Sequence, residues 1–526
     1  MTTEQTTHGE AARADQAVTL RAGMTPEAKA PPVTEQTTHG EAARADVATS
    51  MRNALTLGGS LVLTLGIGFG VRIALRRYLG PTVIGPVNFA DAFTTTSFVF
   101  LGLGIDLHVR KIVPVALEGA NEFLGTIFAI RAVMAAAVFV MMGAVLTWMG
   151  QPPEVRALVW AYGAAQVCMS YNLTLTALLQ SARTIDGLSA LNVVAKLMWA
   201  AGFIGTMVFG LPLIGIPLSV LFAELTKLVV GYWLARKHVR LRLAIDWSKL
   251  RPVLRASFPF YVNAVALVIV NRFDVNVLRM QSTSEEIGLY SAAAELAQMT
   301  FMMVPMLGGV VMPLFARMQT RGQAEYHQML RRTIELILVL AFPPSLAIAA
   351  GADVWVQLLL GDQYAASAWA LSLLGPSFLL TYVAVVLGIA LNLGGGEWTV
   401  TLTSLMSMVV NPLLVLTLVH LSQTWGAGGG GAACAMAAVS TEALVVAVML
   451  WRLGPSVVDS RLVKMVAKSL LACVVVMLVD RLLLKGLGAG RLLIDGLIYV
   501  GLVLAMGAVS VSESVALART MRAQRH

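Results

Sequence analysis

Among the ionisable residues inside stretches apolar enough to lie in hydrocarbon, ten are candidates for function. They are the bases Arg72, Arg131, Lys196, Lys227 and Arg272, and the acids Asp91, Glu224, Asp274, Glu295 and Glu442. A central Arg, Lys or Asp costs about 2.5–3.5 kcal/mol on insertion scales, so such groups persist only where they face protein or water. Their chemistry would be non-covalent. Bases in that setting receive an anion, and acids take up a proton or a cation.

Spacing sorts them. Lys196 lies about 15 Å into its apolar run and Arg131 about 12 Å into its own, counted at the helical rise. Neither has an acid three or four residues away, so neither is neutralised within its own helix. Each needs another helix, water or an anionic ligand. Arg72 and Arg76 stack one turn apart near a helix end, where long basic stems also snorkel to the interface. Arg272 stands beside Asn271 and Asp274, but Asp274 is two residues on and points elsewhere. Glu224 and Lys227, three apart, can neutralise each other. Asp91 and Glu295 open equivalent helices. They either bind a proton or cation, or pair across the molecule with the arginines.

The elements that position these groups are membrane helices. Hydrophobic residues make up 57% of the chain and charged residues 13%, against about 25% charged in soluble domains. The mean hydropathy is +0.76. Apolar runs of about 20 residues or more, enough to span a bilayer, fall near 53–75, 84–107, 123–147, 154–181, 186–209 and 213–235. A second set falls near 256–279, 286–313, 330–351, 366–391, 398–420 and 427–451, and two more near 462–484 and 491–511. The expected fold is an all-α polytopic membrane protein of about fourteen transmembrane helices. It comprises two pseudo-symmetric six-helix lobes, 51–235 and 256–452, with two C-terminal helices in 453–511. A basic linker, 236–255, joins the lobes, and a basic tail, 512–526, closes the chain.

Residues 1–50 are polar. Thr3–Asp15 reads TEQTTHGEAARAD and Thr34–Asp46 repeats it. Such a segment buries too little apolar surface to fold alone and reads as a disordered tail. It has no apolar core of a secretory signal.

The net charge of +9 is explained by loops. The 236–255 linker carries Arg236, Lys237, Arg240, Arg242, Lys249, Arg251 and Arg255, and the next connection on that side carries Arg317, Arg321, Arg331 and Arg332. The positive-inside rule then puts both termini in the cytoplasm. This pattern argues against nucleic-acid binding. Cys168, Cys434 and Cys473 lie far apart in apolar runs with no paired spacing, which excludes a disulfide framework and a zinc site. No metal or cofactor is expected.

The lobes repeat. Ile84-Gly85-Pro86-Val87-Asn88-Phe89-Ala90-Asp91 aligns with Ile287-Gly288-Leu289-Tyr290-Ser291-Ala292-Ala293-Ala294, each opening the second helix of its half. Leu107-His108-Val109-Arg110 echoes in Leu314-Phe315-Ala316-Arg317. Repeats of this kind place a site at their interface near the midplane.

Several motifs point to a family. Arg77-Tyr78-Leu79-Gly80-Pro81, then Ile84-Gly85 and Phe89-Ala90, is similar to the first external turn of Wzx-type polysaccharide flippases. These form a branch of the multidrug/oligosaccharidyl-lipid/polysaccharide exporter superfamily. Leu360-Gly361-Asp362-Gln363-Tyr364, Asn411-Pro412 and the run Gly426 to Ala433 resemble the same family, over roughly residues 51–500. The resemblance implies a MATE-like fold of two lobes around a central cavity. It also implies alternating-access movement of undecaprenyl-pyrophosphate-linked oligosaccharide units across the bacterial inner membrane. The product would be O-antigen of lipopolysaccharide, capsule or exopolysaccharide.

Charge matching agrees: a pyrophosphate diester carries about two negative charges, and unpaired bases in a wet cavity offset its desolvation. On this reading Arg131, Lys196, Arg272 and Arg72 form a cationic substrate site, and Asp91 and Glu295 serve ion coupling. The partners are the lipid-linked oligosaccharide and membrane lipids, with a polysaccharide polymerase and a chain-length regulator alongside. No nucleotide loop, nucleophile motif or metal set accompanies the helices, so no enzyme is expected. The competing readings are a MATE-like drug or cation antiporter, whose cavity should be dominated by acids, and a flippase for lipid-linked peptidoglycan precursor.

Overall fold

A computed structural model describes residues 33–102, 120–181, 185–239, 250–319, 322–454 and 457–507. Residues 1–32, the linker residues 240–249 and the tail 512–526 lie outside the described residues. The chain divides into two units, Met1–Gly59 and Ser60–His526. In the first, the backbone from Val33 onward is helical, where the composition of residues 33–50 predicts disorder. Ala, Glu and Arg there are good helix formers.

Among the described residues the secondary structure is helix and turn, with no strand. α1 is assigned over Val33–Phe98, but Gly80 breaks it with φ 76° and ψ 167°. Only glycine adopts that conformation without strain. Pro81 follows, with a fixed φ suited to a first helical turn. The Arg77-Tyr78-Leu79-Gly80-Pro81 motif is therefore a stop followed by a start, and two expected spans share one element.

The first half continues with α2 (Ala120–Trp148), α3 (Pro153–Ser181), α4 (Ile185–Val208) and α5 (Gly215–Val239). The second half holds α6 (Leu250–Gln281), α7 (Ser284–Gln298) and α8 (Val304–Gln319), the last two joined by a 3-10 turn. α9 (Gln323–Ala350), the short α10 (Ala352–Leu359), α11 (Ser367–Leu393), α12 (Glu397–Leu421) and α13 (Gly429–Leu453) complete it. α14 (Ser460–Val479) and α15 (Arg491–Ala505) close the described chain. Nine helices among the described residues are long and apolar enough to cross a membrane.

The packing repeats between halves. α3 and α4 both pack on α5, while α11 and α13, and α12 and α13, form the matching pairs in the second half. One core cluster draws on both halves, including Phe89, Leu146 and Trp199 with Ile287, Tyr364 and Val415. A second joins α9 and α11 to α14 and α15 through residues such as Ile334, Val386, Val476 and Tyr499. The C-terminal pair thus rests on the second half, chiefly on α9. Bulky apolar residues such as Val140, Trp398 and Trp451 stay exposed around the outside, as expected where the solvent is lipid.

Caps fix some helix starts outside the apolar spans. Asp459 accepts from the Leu462 backbone N–H at 2.8 Å and meets Arg331 at 3.2 Å. The backbone hydrogen bond, followed by the arginine, holds its carboxyl below the usual carboxylate range. A depressed pKa contributes stability above the unfolded value, near pH 4, and loses it as pH falls through the folded value. Asp459→Ala is expected to cost about 1 kcal/mol in the first turn of α14, with Asp459→Asn close to wild type. Amide exchange over 460–463 checks this. Unchanged protection in the alanine variant would remove the cap from the account.

Candidate functional site

The cationic residues predicted from sequence are gathered where the two halves meet, with one exception. Arg72 and Arg76 present the same face of α1 and converge on one acid from the other half. Arg76 Nε donates to Glu295 Oε2 at 2.8 Å and Arg72 Nη1 to Glu295 Oε1 at 3.2 Å. The pair is unequal: the Arg76 side chain is 9% exposed and that of Arg72 is 52% exposed. Arg76 is a buried clamp, whereas Arg72 has guanidinium surface left for another ligand.

Lys196 on α4 stands next to this group. Its Nζ sits 3.5 Å from the Trp199 ring centre, and Arg72 lies over the same ring at 6.0 Å. Gly68 of α1 leaves the room: a Cβ there would come within 3.0 Å of the lysine tip. Lys196 is half-buried. Its charge is met by an aromatic face, with no carboxylate in ion-pair range among the described residues. A cation–π contact is worth about 0.5–2 kcal/mol, so the ammonium keeps capacity for an anion.

Arg272 on α6 makes the second cross-half ion pair, 3.7 Å from Asp91, with side chains 39% and 37% exposed. One turn on, Asn276 Nδ2 donates to Thr96 Oγ1 at 3.2 Å. Asp91 and Glu295, the two acids considered for ion coupling, are thus each partnered by arginine from the opposite half. Of the two roles open to them in sequence, cross-half pairing is the one seen in this conformation.

Arg131 departs from expectation. Its side chain is fully buried, at 0% exposure. Nε donates to the Leu101 carbonyl at 3.0 Å, and Nη1 to the Ser170 carbonyl and to Thr174 Oγ1 at 2.6 Å. All these partners belong to the first half. The guanidinium ties α2 to the end of the α1 region and to α3, in a seat apart from the Trp199 group. Position within an apolar run does not distinguish a ligand-facing base from one satisfied by carbonyls.

The halves also close on each other at one end. The offset carrying Ile84 onto Ile287 carries Pro81 onto Ser284, Gly85 onto Gly288 and Arg76 onto Arg279. A Cβ on Gly85 would overlap the Ser284 carbonyl, and a Cβ on Gly288 would overlap the Pro81 carbonyl. The contact is reciprocal, as two-fold related surfaces require, and small residues permit the close backbone approach. Arg279 reaches back to Gln151 Oε1 at 2.7 Å and lies over Phe89. Tyr364 donates to the Arg76 carbonyl at 3.1 Å and Gln363 to the Arg77 carbonyl at 2.6 Å. Burial pushes the Tyr364 phenol up to about 12, so it remains a donor at physiological pH. Gln151, Trp199 and Glu286 were not singled out in sequence. Glu286 accepts from the Gly428 and Gly431 amides at the start of α13, a carboxylate at a helix N-terminus.

The other acids singled out in sequence each have a local hydrogen-bond partner. Glu224 accepts from Asn172 Nδ2 at 2.7 Å, not from Lys227 as its spacing suggested. Asp274 accepts from the Tyr290 hydroxyl and the Val275 amide. Glu442 accepts from Thr381 at 3.0 Å.

Residues 50–319 match the family model described as polysaccharide biosynthesis protein. No curated protein matches the chain. Among solved structures, an inward-facing multidrug resistance MATE family transporter of the MOP superfamily has a TM-score of 0.62 at 13% identity. The match covers 75% of this chain and 94% of that one. The lipid II flippase MurJ, in an inward closed conformation, has a TM-score of 0.58 at 12% identity, covering 86% of this chain and 100% of that one. At such identities the likeness is one of architecture: the chain has the polytopic MATE-like fold.

Proposed function

We propose that this chain, which belongs to the polysaccharide biosynthesis protein family, is a membrane flippase for undecaprenyl-pyrophosphate-linked oligosaccharide, working by alternating access rather than by covalent catalysis. The observation that carries the reading is Lys196. It is a half-buried ammonium on an aromatic face, beside the part-exposed Arg72, at the meeting of the halves. A pyrophosphate has the charge to occupy that position, and Arg72 and Arg272 supply further donors when their cross-half pairs part. Opening the closed end breaks Arg76–Glu295 and Arg272–Asp91. A bound pyrophosphate then compensates the arginines released, which couples substrate to opening. Asp91 and Glu295, freed in the same step, become the acids able to take a proton or cation. The closed end faces the periplasm on this reading, both termini the cytoplasm, and the membrane is the bacterial inner membrane. A polymerase and a chain-length regulator would receive the unit.

Lys196→Ala is expected to leave membrane levels near wild type and to lower export at least about tenfold, the effect of losing one charge-assisted contact. Lipid-linked units should accumulate on the inner leaflet, Lys196→Arg should restore export, and Lys196→Glu should be worse than alanine. Wild-type export by Lys196→Ala would overturn the assignment. Accumulation of peptidoglycan precursor instead would transfer it to that substrate.

A further inference from the structure

Beside the ion pairs, the halves meet through uncharged polar groups. Hydroxyls inside a helix commonly donate to the carbonyl one turn back, as Thr94, Thr96 and Ser97 do at 2.8 Å. Two amides near them reach across to another helix instead. Gln166 Nε2 of α3 donates to Thr95 Oγ1 at 2.9 Å, and Asn276 Nδ2 of α6 donates to Thr96 Oγ1 at 3.2 Å. Thr95 and Thr96 are consecutive, so α1, α3 and α6 come together at one place. It lies about 15 Å along α1 from Gly85 at the helical rise. The Arg272–Asp91 pair is one turn away on both α1 and α6. All four side chains are half-buried.

Each amide keeps unused capacity. The Arg272 carbonyl, 3.3 Å from Asn276 Nδ2, is an acceptor only, and the Thr96 proton already goes to the Ala92 carbonyl. Nδ2 therefore has to face both, and Oδ1 is left buried without a hydrogen-bond partner. Gln166 has Thr95 as its hydrogen-bond partner among the described residues. Whichever way its amide is turned, one of its two polar ends is left over. An amide offers a donor and an acceptor in one plane. A sugar ring matches that, because each hydroxyl both donates and accepts and neighbouring hydroxyls stand side by side. A hydroxyl on Asn276 Oδ1 also relieves the cost of a buried acceptor left unpaired. A fully ionised anion only accepts and does not serve that oxygen. A metal ion fits less well, since the neighbouring Asp91 is already met by Arg272.

We propose that Thr95, Thr96, Gln166 and Asn276 form a carbohydrate subsite, holding hydroxyls of the ring nearest the pyrophosphate of the transported lipid. The inference rests on the flippase reading and extends it from the anion to the sugar. These amides then determine specificity, whereas Lys196 and Arg72 hold the part that every such lipid shares.

The test uses the full chain in lipid nanodiscs and two probes, bare undecaprenyl pyrophosphate and the same carrier bearing one hexose. Wild type should bind the hexose-bearing lipid at least about fivefold more tightly, since each net hydrogen bond contributes about 2- to 10-fold. Gln166→Met and Asn276→Leu, which keep the size and remove the amide, should each bring that ratio towards one. Lys196→Ala should weaken both lipids alike and keep the ratio. Retention of the wild-type ratio in both amide variants overturns the proposal. Equal binding of the two lipids by wild type also overturns it and leaves the flippase reading standing. Failure of wild type to bind either lipid removes that reading and the subsite with it. Loss of the folded protein in both amide variants, read by size-exclusion, overturns the subsite as well, because the amides are then structural.

Discussion

Arg131→Ala is expected to abolish the folded protein rather than its transport. The side chain satisfies two main-chain carbonyls and a hydroxyl at 0% exposure. Hydrogen bonds from a charged donor contribute about 1.5–3 kcal/mol each, and breaking a buried charged network costs about 3–5 kcal/mol. That is a large fraction of a typical stability of about 5–15 kcal/mol. Arg131→Lys should also fail in part, because a point ammonium cannot reproduce the planar fork. Fluorescence-detected size-exclusion of the solubilised protein reads the result directly. Loss of the monodisperse peak is expected for Arg131→Ala and retention for Lys196→Ala. The reverse outcome, Arg131→Ala at full level yet inactive, would return Arg131 to the substrate site and sink its structural assignment.

The second large effect concerns the reciprocal glycines. Gly85→Ala and Gly288→Ala each place a methyl group into a carbonyl of the opposite half. Over-packing costs about 1–3 kcal/mol, which shifts a two-state balance by roughly 5- to 150-fold. Both variants should therefore disfavour the closed end and populate a state open there. Ala293, fully buried on α7, is a reporter: Ala293→Cys should resist an impermeant thiol reagent alone and label readily when either glycine is replaced. The two glycines should act alike, because each faces the equivalent carbonyl of the other repeat. A strong effect from one and none from the other would mean that the contact is incidental.

Much of this was legible in the sequence. Helical spans are local in origin, and hydrophobic run length located helices throughout the described residues, nine of them long and apolar enough to cross a membrane, with Gly80-Pro81 marking the break between the first two expected spans. The repeat aligned Gly85 with Gly288, yet it was the crossing of α1 and α7 that gave the alignment its meaning. Partner choice was not legible. Lys196 and Arg131 look the same in sequence: each is a base well inside an apolar run with no acid three or four residues away. One lies on Trp199, three residues along its own helix, and the other on carbonyls of helices about 30–40 residues away.

The cross-half clamp also constrains how the protein is made. Arg76 and Glu295 are 219 residues apart. A ribosome adding about 5–20 residues per second needs roughly 10–45 s to cover that interval. Throughout it the arginines of α1 have left the ribosome without their acid, while the helices around them enter the bilayer. The first half therefore cannot be finished as an autonomous intermediate. Its basic face has to wait at the lipid headgroups, or in the care of the insertion machinery, until α7 arrives. Slow decoding or a pause between α5 and α7 would lengthen that wait, and the yield of inserted protein should fall with its duration.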